Sequence, residues 1–522
     1  MTLVSPSVAQ DVAPDSVEAA ADSVLAPDST RSILQRLSPD TTSRYVPPGE
    51  APVPGGQAVD LGVWAVSSGP LILPAVSPAL DTEHMLASVP GSFLYDLGAP
   101  GWPHGWSPDG LDPASVGLTA LGLSWTDPLT GRPLLDLLPA AFFEPLTVEP
   151  SPYGGVAGVS AELREHSAPR PVTELRYWKG ASNLQSIVGT HAQRRRIGFF
   201  GGSELSVLGG YGGRASAGEY PGSRLRRERH VLGRVGLRRP TWYVDLLDLH
   251  ARHQVGAHGG VLQRPGQGRE SVFDRFGARV ENERATRRTV RNDFVAEAGL
   301  PFHLVGMQPV VRGFWTAQTF RFRDPGDTLS VETDRLGGTV NLERRSGRFS
   351  QTYFAYLASD QHRLSWTPES VTQLKLQFGI RLGITRGRFS ATIQESAGPL
   401  REGSLTSLMR ASYHGPRVGG FVHYAFGSDP TALIREHGFG ELVQPIEEKD
   451  RSWRSLIRVG ATFRSGPVSL GLTAFANRTG SGNVLVPVSG DTAAVSVAGD
   501  VRRLGLTLEA GLRAKAPRGF YL

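Results

Sequence analysis

The sequence contains no cysteine, which excludes disulfide bonds, thiolate metal sites and cysteine nucleophiles together. Lysine is also scarce: Lys179, Lys375, Lys449 and Lys515 are its only occurrences, so arginine supplies nearly all of the positive charge. No segment approaches the run of about 18 apolar residues that predicts a transmembrane helix. Helical membrane spans are therefore excluded.

The signatures of common enzymes are absent as well. There is no Walker phosphate loop, no nucleotide-binding Gly-x-Gly-x-x-Gly, no His-Glu-x-x-His zinc motif and no Gly-x-Ser-x-Gly nucleophile elbow. The sequence predicts a protein that is not an enzyme, with no catalytic residue and no cofactor.

The net charge of +6 admits two interpretations. One is binding of nucleic acid or another anion, and the other is arginine in charged turns and on the walls of a lumen. No basic helix or clustered basic stripe is visible along the sequence, which favours the second interpretation. We therefore predict no nucleic-acid partner.

Three histidines lie close together in the sequence, His250, His253 and His258. On a β-strand, His250 and His253 point to opposite faces, so they cannot share a metal ion as strand neighbours. We interpret the three as rim and loop histidines and predict no metal site.

A long alternating segment at residues 371–385 carries the strongest structural signal. Apolar residues from Leu374 to Ile384 occupy every second position, and Gln, Lys, Arg and Gly occupy the positions between them. Successive residues of a strand face opposite sides, so one side is wholly apolar. The segment is longer than most soluble strands and fits the roughly 9 to 11 residues that cross a bilayer.

The same alternation recurs along the second half of the chain. Clear examples are residues 453–464, 468–477 and 504–513, and weaker ones are 173–178, 204–211, 337–343, 351–358, 388–395 and 420–426. With less regular segments, about 17 or 18 candidate strands follow residue 170, a spacing typical of outer-membrane barrels. Aromatic residues near the ends of these strands, including Tyr177, Tyr211, Phe314 and Trp315, are interpreted as interfacial girdles.

These patterns predict an all-β-dominated fold, a transmembrane antiparallel β-barrel of about 16–22 strands with an N-terminal mixed α/β domain. Residues 1–58 are rich in Pro, Asp, Ser and Ala and predict a disordered leader, with Ser7-Val-Ala before Gln10 as the remnant of a signal-peptide cleavage site. Residues 59–168 predict a compact plug-like domain, and residues 169–522 the barrel. The alternating apolar residues from Leu374 to Ile384 should face lipid, and Lys375 and Arg381 between them should face the plug.

Residues 81–150 resemble the plug domain of TonB-dependent outer-membrane receptors. In that family a Leu-x-x-x-Pro-Gly segment is followed by an acidic turn with a glycine, a Leu-Pro step and a strand that contains Glu. The matching residues here are Leu86, Pro90, Gly91, Asp127, Gly131, Leu138, Pro139, Phe143, Glu144, Leu146 and Val148. The Arg-Gly step usual in the central plug strand is replaced by Gly117-Leu-Thr.

The resemblance implies a receptor in the outer membrane of a Gram-negative-type bacterium, whose plug is moved by a TonB-type inner-membrane protein to import a nutrient. It implies contact with outer-membrane lipid and allows for a substrate-binding surface lipoprotein. Selectivity would lie in the plug apex and in the long loops after Gly256 and Ser428. Two alternatives stay open, a passive porin or uncoupled receptor and, in another class, a soluble all-β surface binding protein.

Overall fold

The computed structural model describes residues 59–61, 71–73, most of 81–479 and 501–514. Within 81–479 the gaps of four or more residues are 96–99, 149–152, 165–169, 399–404, 429–433, 438–441 and 446–452, and shorter stretches are left out elsewhere. The leader that was predicted for residues 1–58 lies outside the described residues. Residues 55–522 belong to one compact unit.

The described elements fall into a short-stranded part and a long-stranded part. The first contains β1 (Val59–Leu61), β2 (Leu71–Leu73), helix α1 (Thr82–Ala87), β3 (Ser92–Tyr95), β4 (Gly105–Pro108), β5 (Val116–Ala120), β6 (Leu123–Ser124), a 3-10 turn (Leu135–Leu137), β7 (Phe143–Val148) and β8 (Ala157–Leu163). The second contains β9 (Val172–Lys179), β10 (Gln185–Ile197), β11 (Ser203–Ser216), β12 (Leu225–Arg238), β13 (Tyr243–Gly256), β14 (Val261–Leu262), a 3-10 turn (Arg269–Val272), β15 (Arg279–Val280), β16 (Thr286–Gly299), β17 (Gln308–Asp324), β18 (Asp327–Ser346), β19 (Phe349–Leu364), β20 (Ser370–Arg386), β21 (Phe389–Ala397), β22 (Leu405–His414), β23 (Val418–Ser428), β24 (Ile434–His437), β25 (Leu442–Pro445), β26 (Trp453–Ser465), β27 (Val468–Thr479) and β28 (Val501–Ala514).

One antiparallel sheet of 17 strands dominates the fold. Its long strands pair with their sequence neighbours from β9 to β28, while the short hairpins β14–β15 and β24–β25 project from two connections. The short strand β1 adds to β28, with Val59 opposite Ala514. Within the described residues, the sheet therefore has sixteen strands after residue 170, fewer than the 17 or 18 that the sequence suggested and inside the predicted range of 16–22.

The alternation at residues 371–385 is confirmed by β20, a strand of 17 residues. Leu374 and Phe378 are about half exposed on the outer side of the sheet, whereas Gln373 and Gln377 are buried on the inner side. Lys375 also points inward, where its Nζ lies 3.0 Å from Oδ2 of Asp360. On β20 the outer face is therefore apolar and the inner face is polar, as the sequence predicted.

The two ends of the sheet differ in the length of their connections. At one end the strands are joined by residues 198–202, 239–242, 300–307, 347–348, 387–388, 415–417 and 466–467. At the other end the connections include residues 257–285, 429–452 and 480–500. We call these the short-turn end and the long-loop end; outer-membrane barrels show the same asymmetry.

The short-stranded part forms an inner unit, defined here as residues 71–163. Its mixed sheet has the order β2-β7-β8-β5-β6, in which β5 and β8 are parallel. Strand β5 is buried along its whole length, and Leu86, Trp125 and Leu137 are fully buried. This core continues into inward-facing residues of the large sheet, among them Leu249 and Phe314. The inner unit therefore packs against the inner wall, and the domain limits at 58 and 168 stay predictions.

Aromatic residues correct one detail of the predicted girdles. Tyr177, Tyr211 and Trp315 are exposed on the outer face, as a girdle requires, and their depth in a membrane stays a prediction. Phe314 is buried on the inner face, where its ring stacks on Tyr356 at 5.8 Å between centroids. Because side chains alternate along a strand, Phe314 and Trp315 cannot both face outward.

Among the described residues, no helix has the length and apolar character needed to span a membrane.

The lipid-facing assignment of β20 can be tested with Phe378→Arg. A charge on the lipid face near mid-span should lower the free energy of unfolding by about 2–4 kcal/mol, whereas near the interface it costs about 0–1 kcal/mol. Phe389→Arg, which also lies on the outer face but next to the short turn at residues 387–388, is the matched control. Urea unfolding from lipid vesicles measures both; equal stabilities of the two variants would contradict the assignment.

Candidate functional site

The contact between the inner unit and the wall is formed on one side by three arginines from neighbouring strands. The Arg291 guanidinium of β16 lies over the Trp125 ring, 4.5 Å from its centroid. Arg335 of β18 donates to the Ser124 carbonyl at 3.2 Å. Arg312 of β17 lies against Gly122, whose φ of +70° and lack of a Cβ make room for the guanidinium. The three arginines hold the β5–β6 hairpin against the wall.

Each of these arginines also has an acidic partner on the wall itself. Arg291 donates two hydrogen bonds, of 2.7 and 2.8 Å, to the Asp293 carboxylate. Arg335 donates two hydrogen bonds, of 2.6 and 2.8 Å, to the Asp360 carboxylate. Glu297 accepts from Arg312. Such bidentate pairs combine charge neutralisation with a fixed guanidinium plane. The pairs orient the arginines toward the inner unit.

The acidic turn of the inner unit contacts the same part of the wall. Asp127 and Gly131 close the turn, since the Gly131 amide donates to the Asp127 carbonyl at 2.9 Å and Gly131 has a φ of +70°. The Asp127 carboxylate accepts from Thr130 at 2.9 Å and from Gln318 of β17 at 3.2 Å. A turn within the inner unit is therefore joined to the wall by a side-chain hydrogen bond.

A second contact forms at helix α1. Oδ1 of Asp81 caps the helix by accepting from the His84 amide at 2.9 Å, and it lies 2.7 Å from His84 Nδ1. Oδ2 of Asp81 lies 3.7 Å from Arg214 of β11, which pairs tightly with Glu228 of β12. Burial alone would raise the pKa of Asp81, but the His84 hydrogen bond and the Arg214 charge hold it well below its usual range. For Glu83, burial and the nearby charges of Asp81 and Asp136 raise the pKa.

Within the part of the chain that the structure describes, Asp81, His84 and His104 form the group that could hold a cation. Their ligand atoms all lie within 4.8 Å of one another, and carboxylate and imidazole groups suit transition metals. However, Oδ1 of Asp81 already caps α1, and Arg214 places a positive charge 3.7 Å from Oδ2. Helix capping and pairing with the wall therefore account for the position of Asp81.

A third contact involves residues 109–112 and the strands near the other side of the sheet. Asp109 lies 3.6 Å from Arg458 of β26, and Asp112 lies 3.8 Å from Arg454. Asn477 of β27 donates to the Asp109 carbonyl at 2.6 Å. Burial raises the pKa of Asp109 to about 6, an effect that the Arg458 charge opposes. The inner unit is thus contacted from several directions around the wall.

The residues that matched the plug pattern come together in the inner unit. Leu86, Leu138, Phe143 and Leu146 share one buried core, and the Thr82 hydroxyl of α1 donates to the Leu138 carbonyl at 3.1 Å. Pro139 accepts a turn hydrogen bond from the Phe142 amide. Val148 pairs with Leu71 and Val159 at the end of β7, the strand that also contains Glu144. Pro90 and Gly91 lie outside the described residues. A functional role for this set stays a prediction.

The histidine interpretation is partly wrong. His250 and His253 do face opposite sides of β13, as alternation requires. His253 and His258 are buried, however, and do not lie on an exposed rim: His253 is 3.7 Å from Asp136, and the His258 ring is 4.6 Å from that of Trp102. Both contacts are made with the inner unit, which the sequence of β13 alone does not reveal.

Sequence reasoning did not identify the wall arginines Arg291, Arg312 and Arg335. Arg291 and Asp293 are two residues apart and therefore lie on the same face, a local signal that was available. Arg335 and Asp360 are directly opposite each other on β18 and β19, which only the register reveals. The usual Arg-Gly step is absent from the inner unit, and within the described residues arginines of the wall approach the β5–β6 hairpin.

Comparison with solved structures identifies the fold. The siderophore receptor PirA from Pseudomonas aeruginosa superposes with a TM-score of 0.57 at 14% identity, covering 84% of this chain and 81% of that one. The FrpB iron transporter from Neisseria meningitidis superposes with a TM-score of 0.59 at 10% identity, covering 88% of this chain and 78% of that one. A ferric enterobactin receptor mutant from Pseudomonas aeruginosa (PfeA) superposes with a TM-score of 0.57 at 13% identity, covering 84% of this chain and 78% of that one.

The chain has the fold of a TonB-dependent receptor. No protein-family model matches the sequence, and no curated protein matches it either. The similarity therefore lies in the architecture, a plug beside the inner wall of an antiparallel barrel. The resemblance noted at residues 81–150 is confirmed at the level of the fold.

The buried Arg335–Asp360 pair provides a stability test. Arg335→Gln leaves a buried carboxylate with Lys375 as its remaining cation, so the free energy of unfolding should fall by about 3 kcal/mol, the low end for a broken buried pair. Arg345→Gln breaks the exposed Arg345–Glu343 pair on the same strand and should cost about 0–1 kcal/mol. Urea unfolding in detergent compares the two, and similar losses would show that Arg335 is not anchored by its buried pair.

The raised pKa of Asp109 predicts that the free energy of unfolding depends on pH. Its folded pKa is raised to about 6 from an ordinary value of 3.8, so the protonated form is favoured in the folded state. This stabilisation is complete below pH about 4 and is lost as the pH rises through about 6. Relative to Asp109→Asn, the native protein should lose up to about 3 kcal/mol between pH 4 and pH 8. Urea unfolding at both pH values measures the difference; a constant difference would contradict the raised pKa.

Proposed function

We propose that this protein is a receptor and transporter of the bacterial outer membrane. The observation that carries the proposal is a barrel that exposes many large apolar side chains on its outer face and holds a folded plug against its inner wall by buried charges. The fold of TonB-dependent receptors supports this placement, and the three similar structures are named as receptors or a transporter. On this proposal the protein is not an enzyme.

The proposed cargo is a nutrient that enters only when the plug moves. PirA and PfeA are named as siderophore and ferric enterobactin receptors, and FrpB as an iron transporter. Ferric siderophores are therefore the first class of substrate to test here. The long-loop end would face the outside, since barrels of this kind place long loops there. Energy would come from a TonB-type partner, and a surface lipoprotein could deliver the substrate.

The membrane placement is tested by expressing the chain in a Gram-negative host. We expect recovery in the outer-membrane fraction and a heat-modifiable shift in gel migration, which reports a folded barrel. Recovery as a soluble, monodisperse protein without detergent would end the proposal and favour a soluble all-β binding protein.

Plug movement can be tested with a disulfide, because the natural chain has no cysteine. A Cβ built on Gly427 of β23 lies 3.6 Å from Cγ1 of Val156 in the inner unit, close enough for a Val156→Cys/Gly427→Cys bridge. Oxidation should stop uptake of radio-iron enterobactin by cells, reduction should restore it, and either single variant should be insensitive. Uptake that survives both the bridge and collapse of the proton gradient would favour a passive, uncoupled pore.

A further inference from the structure

An arginine patch lies on the outer face of the sheet, formed by Arg227, Arg229, Arg252, Arg288 and Arg321. Arg229 is directly opposite Arg252 on β12 and β13, and Arg288 is opposite Arg321 on β16 and β17. Gln254 lies between Arg227 and Arg288 in the same row. Four neighbouring strands of the sheet thus bring five arginines together. This cluster corrects the sequence-based view that no clustered basic surface exists.

The alternation of each strand places the patch outside the barrel. On β12, Arg227 and Arg229 are exposed and alternate with the buried residues Glu228 and His230. On β13, Arg252 lies between the buried Ala251 and His253. Arg321 is exposed between the buried Phe320 and Phe322. The arginines therefore face away from the inner unit and from any route through the lumen.

The patch lies next to the apolar outer surface, toward the long-loop end. Val231 follows Arg229 by two residues on the same face, about 7 Å along the strand. Farther from the long-loop end, Leu246, Phe294 and Trp315 are exposed on the neighbouring strands. If the apolar surface contacts lipid tails, the arginines lie at the level of the headgroups.

The charges of the patch are not neutralised by neighbouring carboxylates. Across the residues that the structure describes, none of the five forms an ion pair with an acid, and the buried Nε of Arg252 has no hydrogen-bond partner. Arg252 lies within electrostatic range of Arg288, Arg227 and Arg229, all of the same sign. Two outward-facing acids on this side of the sheet have other partners: Asp248 accepts from Asn292, and Glu332 lies 3.7 Å from Arg363.

We propose that the arginine patch binds the phosphate groups of lipids in the outer leaflet. Clustered guanidinium groups repel one another unless anions lie between them, and their planar forks match phosphate oxygens. Lipid phosphates are the anions available at the border of an apolar belt, and neighbouring basic residues attract anionic headgroups additively. This inference rests on the proposed membrane placement.

The test uses the full chain in detergent, with lipid A as the phosphorylated glycolipid, phosphatidylcholine as the zwitterionic lipid and inorganic phosphate as the free anion. Native mass spectrometry should show retention of lipid A by the wild type and at least tenfold weaker binding by Arg229→Gln/Arg252→Gln. The control Arg386→Gln/Arg388→Gln removes two exposed arginines at the short-turn end and should bind like the wild type. Phosphatidylcholine and inorganic phosphate should bind weakly to all three.

Arg229→Lys/Arg252→Lys keeps the two charges but removes the planar guanidinium groups, so we expect its lipid A binding to be intermediate. This variant replaces the glutamine variant in the test if the latter does not fold. Equal lipid A binding by the wild type and the patch variants would overturn the inference. Inorganic phosphate that binds as tightly as lipid A would also overturn it, by indicating a soluble anion site. A protein that folds and reaches the outer membrane but fails this test leaves the proposed function intact, whereas failure to reach the membrane removes both.

Discussion

The inner face of the barrel carries charges that must be neutralised away from bulk water, and the position of the inner unit depends on how this is achieved. An isolated buried guanidinium would be very costly, so the buried arginines Arg291 and Arg335 need a carboxylate close by. Asp293 and Asp360 supply those carboxylates from the wall itself. The paired guanidinium groups retain free faces and N–H groups, which are directed toward Trp125 and the Ser124 carbonyl.

Features that repeat along one strand were predictable from sequence. The period of two in β20 identified a membrane-length strand, its apolar side and the inward direction of Lys375 without any knowledge of its neighbours. The plug resemblance likewise depended on short local segments, and Leu86, Leu138 and Leu146 do share one core. Local geometry is encoded locally, so these inferences needed no tertiary information.

Features that depend on strand pairing were not predictable. Arg229 and Arg252 are far apart in sequence and become neighbours only through the register of β12 with β13. The same holds for Arg335 and Asp360, and for His253, which is buried because Asp136 of the inner unit approaches it. A shift of one residue would reverse the face of every side chain, so no partner can be assigned before the register is known.

The division of contacts between wall and inner unit bears on how a plug of this kind could move. The ion pairs Arg291–Asp293 and Arg335–Asp360, at 2.6–2.8 Å, each join two residues of the wall. Three pairs of described residues that cross to the inner unit, Asp81–Arg214, Asp109–Arg458 and Asp112–Arg454, are longer, at 3.6–3.8 Å.

Removing one member of a buried pair costs about 3–5 kcal/mol because the other charge is left uncompensated. Displacement of the inner unit would leave the wall pairs intact, so that penalty would not arise at Arg291 or Arg335. The lost contacts there would be a carbonyl hydrogen bond and an aromatic face, each worth about 0.5–3 kcal/mol. At Arg291 and Arg335, a wall that neutralises its own charges can therefore hold the inner unit through modest contacts and release it without leaving either guanidinium unpaired.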